Sequence, residues 1–176
     1  MSRPGAHPLH TFSLVTADRP GVLVRIALVF ARRGYNIESL AVSPGAVEGF
    51  ARMTILSRGD PGNVDQIVKQ LAKLIDVVFV TDHRGEEPIE AEIALFKLRC
   101  NGELRRKALA TGERFGARVL ESEGDRVILV CQGTSAEISE LHHLLGECNV
   151  EELVRSGKIV MERGASHFAH LLGAAH

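Results

Sequence analysis

Hydrophobic and polar residues follow two periods along the first half of this chain. Alternation of apolar and polar residues, typical of strands with one buried face, predicts strands at residues 10–16 and 50–57. A further strand is expected at 35–42, before the turn at 43–45, and the short apolar run at 76–81 is best interpreted as a strand. Three- to four-residue spacing of apolar positions predicts helices over residues 20–33 and 64–74. On the third strand we expect one apolar face, with the alternate residues on the other: Ala51, Met53 and Ile55 against Arg52 and Thr54. The element order predicts a ferredoxin-like βαββαβ fold of the α+β class.

The second half repeats this order without repeating the sequence. Strands are predicted at residues 92–100, 118–121, 126–131, 150–155 and 159–161, and helices over 103–115 and after a cap at Thr134 or Ser135. The polar stretch DHRGEEP, residues 82–88, has no periodicity and separates the halves. We therefore predict two small domains at residues 9–82 and 92–164, a linker at 83–91, and a loose leader and tail at 1–8 and 165–176.

The first predicted helix begins at a turn that suits a small anion. Its sequence, DRPGVLVRIALVFARRGYNIESL, places Pro20 at or near the first helical position, where its missing N–H costs nothing. Arg32 and Arg33 are expected in the last turn, before the glycine that ends the helix. Because Gly21 has no side chain, a carboxylate could approach the uncovered N–H groups of the first turn.

Three motifs carry a resemblance to a known family. D-R-P-G-V-L at residues 18–23 resembles the ligand-binding loop of an ACT domain, a small regulatory module that binds amino acids. R-R-G-Y-N-I-E-S-L at 32–40 resembles, more narrowly, the regulatory small subunit of acetolactate synthase. In the second half, L-V-R-S-G at 153–157 is similar to the C-terminal domain of the same family. The resemblance extends over about residues 10–164.

The resemblance implies a regulatory subunit without chemistry of its own. Such a subunit is a homodimer through its ACT domain, activates the catalytic subunit, and confers feedback inhibition by valine or another branched-chain amino acid. The implied catalytic partner uses thiamine diphosphate, Mg²⁺ and FAD, while this chain needs no cofactor. A free-standing ACT sensor that controls another enzyme or a transcription factor is the alternative. It would share the D-R-P-G turn but not the R-R-G-Y-N-I-E-S-L motif.

In this family the effector binds where two ACT domains meet, so the resemblance implies an effector site. Its residues here are Asp18, Pro20, Gly21, Val22, Leu23, Asn36 and Ile37. N–H groups at positions 21–23 suit a carboxylate, and Asp18 or the Asn36 side chain suits an ammonium. Leu23, Ile26 and Ile37 could surround a branched side chain. Alternatively, Asp18 merely caps the helix and Asn36 satisfies a strand end. Many close relatives carry Asn in place of Asp18, whose carboxylate would attract the ammonium but repel the carboxylate of an effector.

Composition excludes several other functions. The formal net charge is −1 and aromatic residues make up 5% of the chain, which argues against nucleic acid or an anionic membrane as partner. Apolar runs fall short of the roughly 20 residues of a membrane span, and the start lacks the hydrophobic segment of a secretory signal, so we expect a cytoplasmic protein. No catalytic or nucleotide-binding motif is present, so no catalytic residue is predicted.

Three residue types remain to be placed. The cysteines, Cys100, Cys131 and Cys148, lack metal-ligand spacing and are expected as free thiols in the core. The eight histidines lack a chelating pattern and are expected on the surface or in the tail, so no metal site is predicted. For Arg32, Arg33 and Arg52 we expect solvated charges rather than contacts with a partner.

Overall fold

The computed structural model describes residues 7–85 and 87–163. These divide into two compact units, one with the residues up to Ile89 and from Val160, the other with Glu90–Ile159. The predicted tail at 165–176 and most of the predicted leader lie outside the described residues.

The first unit has the predicted order of strands and helices. Its elements are β1 (Leu9–Ala17), α1 (Val22–Ala31), β2 (Ile37–Pro44), β3 (Phe50–Arg58), α2 (Pro61–Leu71) and β4 (Val77–Asp82). The strands form an antiparallel sheet in the order β2-β3-β1-β4. This arrangement confirms the α+β, ferredoxin-like prediction and leaves β2 and β4 as the edges of the sheet.

The helices of the first unit pack on one face of its sheet. Phe12 of β1 and Phe30 of α1 are fully buried, and their rings meet edge to face at 5.4 Å between centroids. Such an aromatic pair adds about 0.5–1.5 kcal/mol to the stabilisation from burial alone. Asp60 caps α2 by accepting a hydrogen bond of 3.0 Å from the N–H of Gly62. The apolar faces predicted from periodicity therefore form this core.

The opposite face of β3 is also covered. Thr54 and Leu56 are buried, and the half-buried guanidinium of Arg52 donates a 2.9 Å hydrogen bond to the carbonyl oxygen of Val160. Burial lowers the pKa of Arg52. The prediction that Arg52 is a solvated charge is wrong, because a segment more than 100 residues away in sequence packs against it.

The prediction of surface histidines is wrong for two residues. His10 and His83 are both buried in the first unit. Nε2 of His83 lies 2.8 Å from the hydroxyl of Ser13, and Nδ1 of His10 lies 3.7 Å from Oδ2 of Asp82. Burial raises the pKa of the Asp82 carboxyl above its ordinary value. These histidines are structural groups whose burial depends on strand pairing.

The second unit has a sheet in the order β6-β7-β5-β8, with β9 also paired to β5. Its elements are β5 (Ile89–Arg99), α3 (Gly102–Arg114), β6 (Arg118–Glu123), β7 (Arg126–Gly133), α4 (Ser135–Leu144), a 3₁₀ turn (Leu145–Glu147) and β8 (Asn149–Arg155). The first residue of β5 and the last two of β9 (Ile159–Met161) fall in the residues assigned to the first unit. The strand β5 begins at Ile89, so the last residues of the stretch predicted as a linker belong to a strand.

The core of the second unit includes all three cysteines. Cys100, Cys131 and Cys148 are buried and free, as predicted. Of the two possible caps of α4, Thr134 holds the position. Its hydroxyl accepts a 3.2 Å hydrogen bond from the N–H of Glu137, and the Glu137 carboxylate accepts one of 2.7 Å from the N–H of Thr134. This reciprocal pair satisfies two backbone donors at the start of the helix.

Candidate functional site

The helix α1 begins at Val22, directly after the predicted turn at residues 18–21. Gly21 is the N-cap with φ 84°, a left-handed conformation that ends the extended chain and that other residues rarely adopt. Pro20 lies two residues before the first residue of the helix, near the first helical position as predicted. Arg32 is the C-cap, so Arg32 and Arg33 lie beyond the last turn in which they were predicted.

The first turn of α1 leaves backbone donors uncovered. The N–H of Val22 points to the carbonyl oxygen of Arg19 at 3.4 Å, and the N–H of Arg25 donates to the carbonyl oxygen of Gly21 at 3.2 Å. Between them, the N–H groups of Leu23 and Val24 have no partner within the helix. They carry the partial positive charge of the helix N-terminus, which attracts an anion.

Asp18 lies at the end of β1, beside this turn. Its N–H donates to the carbonyl oxygen of Gly49 at 2.8 Å, and its side chain is exposed. The N-cap position belongs to Gly21, so the alternative interpretation of Asp18 as the capping residue is wrong. The carboxylate of Asp18 is thus left on the surface near the uncovered N–H groups.

Arg25, which the sequence analysis did not include among the candidate site residues, lies beside the turn. Its Nε and Nη2 donate to Oδ2 of Asp76 at 2.9 and 2.6 Å, and the Asp76 side chain is only 11% exposed. Nη1 of Arg25 lies 3.4 Å from the place that a Cβ on Gly21 would occupy. The Arg25 guanidinium, held in place by Asp76, therefore lies beside the N-terminus of α1, the end that attracts anions. Its i, i+4 spacing from Gly21 was the signal available in the sequence.

Asn36 and Ile37 lie at the other end of the same helix. Asn36 precedes β2 with an exposed side chain, and its carbonyl oxygen accepts a 2.7 Å hydrogen bond from the hydroxyl of Ser57. The ten residues of α1 extend over about 15 Å. One chain therefore brings Asp18, Pro20, Gly21, Val22 and Leu23 together but leaves Asn36 and Ile37 apart from them.

Two of the apolar candidates belong to the core. Val22 and Ile26 are buried in the cluster beneath α1, so their side chains do not face a ligand at the helix N-terminus. Leu23 is partly exposed, and Ile37 is partly buried against the same core. Only the backbone of Val22 borders the turn, and of the apolar residues predicted for the site Leu23 is the one whose side chain is exposed there.

Two open clefts lie away from this turn. One, of about 320 Å³, is lined by residues near the start of α2, and the other, of about 490 Å³, lies in the second unit around Cys148. Among residues 7–85 and 87–163, no three His, Cys, Asp or Glu side chains cluster as metal ligands would. Helices within those ranges are all too short or too polar to cross a membrane.

Known proteins match both halves of the chain. The model of the AHAS small subunit-like ACT domain matches residues 12–79, and that of the small subunit of acetolactate synthase matches residues 91–164. The acetolactate synthase small subunit of Mycobacterium leprae is 36% identical over 89% of this chain and 93% of its own. A probable acetolactate synthase small subunit of Archaeoglobus fulgidus is 36% identical over 88% of this chain and 97% of its own.

A solved structure agrees with these sequence matches. The crystal structure of the acetolactate synthase small subunit from Thermotoga maritima superposes with a TM-score of 0.81 and 31% identity, over 90% of this chain and 99% of that one. The fold, both family models and the relatives agree along most of the length. This chain belongs to the family of acetolactate synthase small subunits.

Proposed function

We propose that this protein activates the catalytic subunit of acetolactate synthase and makes that enzyme subject to feedback inhibition by valine. Membership of the small-subunit family supports a catalytic subunit as partner. In this proposal the chemistry belongs to that cytoplasmic partner, which uses thiamine diphosphate, Mg²⁺ and FAD. The observation that carries the proposal is the open N-terminus of α1, with Gly21 at φ 84° and Arg25 beside it.

The effector site is completed by a second copy of the chain. Gly21 and Asn36 lie at opposite ends of α1, so Asn36 can reach an effector held at the turn only from a second chain. In a two-fold dimer with antiparallel α1 helices, the N-terminus of each helix meets the C-terminus of the other. Each of the two sites then takes its turn from one chain and its Asn36 from the other.

Exposed apolar groups support this dimer. Leu23, Val24 and Leu28 on α1 are exposed although they are large and apolar. Next to them in the fold, β2 is an edge strand that carries the exposed Val42. A free strand edge offers unpaired N–H and C=O groups to another chain. Pairing of two β2 edges would cover these groups and bring the two α1 helices side by side.

The chemistry of a free branched-chain amino acid fits such a site. Its carboxylate would accept hydrogen bonds from the N–H groups of Leu23 and Val24, with Arg25 adding a positive charge. Its ammonium would pair with Asp18 or with the side-chain oxygen of Asn36. The side chain would contact Leu23 and Ile37. Since Arg25 stands beside the turn, it offsets the repulsion between Asp18 and the effector's carboxylate.

Inhibition requires that valine distinguish two states of the complex. A ligand with equal affinity for both states would shift neither, so valine must bind the inhibited arrangement of the dimer more tightly. A site shared between two chains has this property, because any change in how the α1 helices pack changes the distance between the turn and Asn36. Regulation would thus act through the dimer interface.

The test is acetolactate formation by the cognate catalytic subunit, alone and with this protein, across a valine titration. Activation that valine reverses is the expected result. Activation without a valine response would keep the subunit role and direct the titration to leucine and isoleucine. No change in activity on addition of the protein would overturn the proposal and favour the free-standing amino-acid sensor.

A further inference from the structure

Cys100 and Cys148 lie opposite each other at the ends of two neighbouring strands. The register of β5 and β8 pairs Leu98 with Val150 and Arg99 with Asn149. One further step in the same register brings Cys100 opposite Cys148. The backbone stays extended there, with φ −87° and ψ 149° at Cys148. The ladder of β5 and β8 itself ends at Arg99 and Asn149, and its register, carried one step further, places the two cysteines opposite each other.

The geometry of this pair suits a disulfide. The N–H of Cys100 donates to the carbonyl oxygen of Asp125 at 2.8 Å, and that of Cys148 to Leu145 at 2.9 Å, so the two residues do not hydrogen-bond each other's backbone. Facing residues of that kind have Cα atoms about 4.5 Å apart. Disulfides span Cα distances of roughly 4.4–6.8 Å. Strand register alone thus places the two thiols within bonding reach.

Side-chain positions agree with the register. Two residues along a strand return to the same face, so Cys100 shares the face of Leu98, and Cys148 that of Val150. All four side chains pack in or against the same core cluster. The Cys148 thiol also donates to the carbonyl oxygen of Leu104 at 3.8 Å. Burial, and after it the neighbouring Cys100 thiol, raises the pKa of Cys148, as expected for two thiols that lie close together.

One of the two thiols is reached from solvent. Cys148 lines the open cleft of about 490 Å³, together with His142 and Glu147. Burial raises the pKa of the Cys148 thiol, so little of it is thiolate at neutral pH. Since the thiolate is the nucleophile, its reactions speed up as the pH rises. Cys148 is 7% exposed and Cys100 5%, so it is the position of Cys148 beside the cleft that singles it out as the first thiol to react.

We propose that Cys100 and Cys148 form a reversible intramolecular disulfide when the protein meets a low-molecular-weight disulfide. The Cys148 thiolate attacks one sulfur of that oxidant, forms a mixed disulfide and releases one small thiolate. The Cys100 thiolate then attacks the Cys148 sulfur, forms the Cys100–Cys148 bond and releases the second. Two protein thiols are oxidised, one small disulfide is reduced to two thiols, and these take up the two protons lost by the cysteines.

The cross-link would join the end of β5 to the start of β8. It closes the chain that contains α3, β6, β7 and α4 into a loop, which restricts the unfolded state. The oxidised protein should therefore unfold at a higher denaturant concentration than the reduced protein. Cys131 provides an internal control, because the residue opposite it on β5 is Ala94 and not a cysteine. Its thiol donates a hydrogen bond to the carbonyl oxygen of Phe115 at 3.3 Å.

The experiment treats the full-length reduced protein with oxidised glutathione at neutral and mildly alkaline pH. Free thiols are then blocked with N-ethylmaleimide, and an unreduced digest is mapped by mass spectrometry. We expect a peptide pair linked through Cys100 and Cys148, a blocked Cys131, faster reaction at the higher pH, and full reversal by dithiothreitol. The Cys131→Ala variant should behave like the wild type, whereas Cys100→Ser should stop with glutathione on Cys148.

Other outcomes would overturn the proposal. A lasting glutathione adduct on wild-type Cys148, a link that involves Cys131, or a disulfide between two chains on a non-reducing gel would each contradict the assigned pair. So would three unreacted thiols at both pH values. The wild-type digest decides among these results without any variant, so a variant that fails to fold does not affect the conclusion.

Discussion

At the scale of single residues, Gly21 is constrained twice. Its φ of 84° disfavours every side chain, and the Arg25 guanidinium lies 3.4 Å from where a Cβ would stand. Any substitution there costs about 1–2 kcal/mol through the backbone alone. An aspartate would cost that much and also place a negative charge at the proposed carboxylate site. Comparing it with alanine separates the two effects.

We therefore predict that Gly21→Asp weakens valine binding at least roughly tenfold relative to Gly21→Ala, because two carboxylates would compete for one positive site. Both variants should lose similar stability to denaturant. Titration calorimetry with valine measures the affinities. Equal affinity in the two variants would place the effector's carboxylate elsewhere.

Asn36 tests the other half of the proposed site. A hydrogen bond to a charged group contributes about 1.5–3 kcal/mol, so Asn36→Ala should weaken valine binding roughly tenfold or more. Activation of the catalytic subunit should change little. Asn63→Ala, an exposed asparagine on α2, is the matched control. Equal loss of valine binding and activation would mean that Asn36 mainly supports the dimer.

At the scale of elements, one carboxylate joins a helix to two strands. Glu92 of β5 is buried and accepts hydrogen bonds from Nε and Nη2 of Arg155 on β8, at 2.6 and 2.7 Å. The hydroxyl of Ser135, the first residue of α4, donates to it at 2.8 Å. The hydrogen bonds from Arg155 hold the pKa of Glu92 below its ordinary value of 4.5.

A lowered pKa in the folded state sets the sign of the pH dependence. The stabilisation by Glu92 is fully present above its ordinary pKa of 4.5 and is lost as the pH falls through the lower folded value. Glu92→Gln should therefore lower the free energy of unfolding by about 3–5 kcal/mol at neutral pH. The difference from the wild type should shrink in acid.

Urea unfolding over a pH series measures this difference. Glu152→Gln is the control, since Glu152 pairs with Lys97 on the surface of the same sheet, with both side chains well exposed. It should change stability little at any pH. A difference between Glu92→Gln and wild type that is the same at every pH would show that the charge of Glu92 does not contribute.

The sequence predicts helices and strands correctly where their positions depend on residues close by in the chain. The order of strands and helices follows from periodicity, and the end of α1 follows from Gly34, which has φ 72°. The start of α1 at Val22 follows directly on the turn at residues 18–21, which the sequence predicts. The partial burial of Arg52 depends on a contact with Val160, and the ion pair of Arg25 with Asp76 joins residues 51 positions apart. The burial of His10 depends on strand pairing. Spacing along one element carries no information about such contacts.

At the scale of the whole molecule, the proposed site exists only in an assembly. Its parts lie at opposite ends of α1, so dimerisation and effector binding are coupled in the proposal. Sequence alone could name both parts by resemblance to a family. The helix predicted over residues 20–33 already lies between them, and the structure shows that it has ten residues, which extend over about 15 Å. A variant that breaks the dimer should therefore also lose the effector.

Leu28→Glu tests this coupling. Leu28 on α1 is 44% exposed, and Leu104 on α3 has the same exposure, so Leu104→Glu is a control matched in residue, charge and burial. A carboxylate at the centre of an apolar interface should weaken the dimer by about 2 kcal/mol or more. Sedimentation should then show Leu28→Glu as a monomer where wild type and Leu104→Glu are dimers, and calorimetry should show no valine binding to it. A dimeric Leu28→Glu would exclude α1 from the interface, and a monomer that still binds valine would mean that one chain forms the whole site.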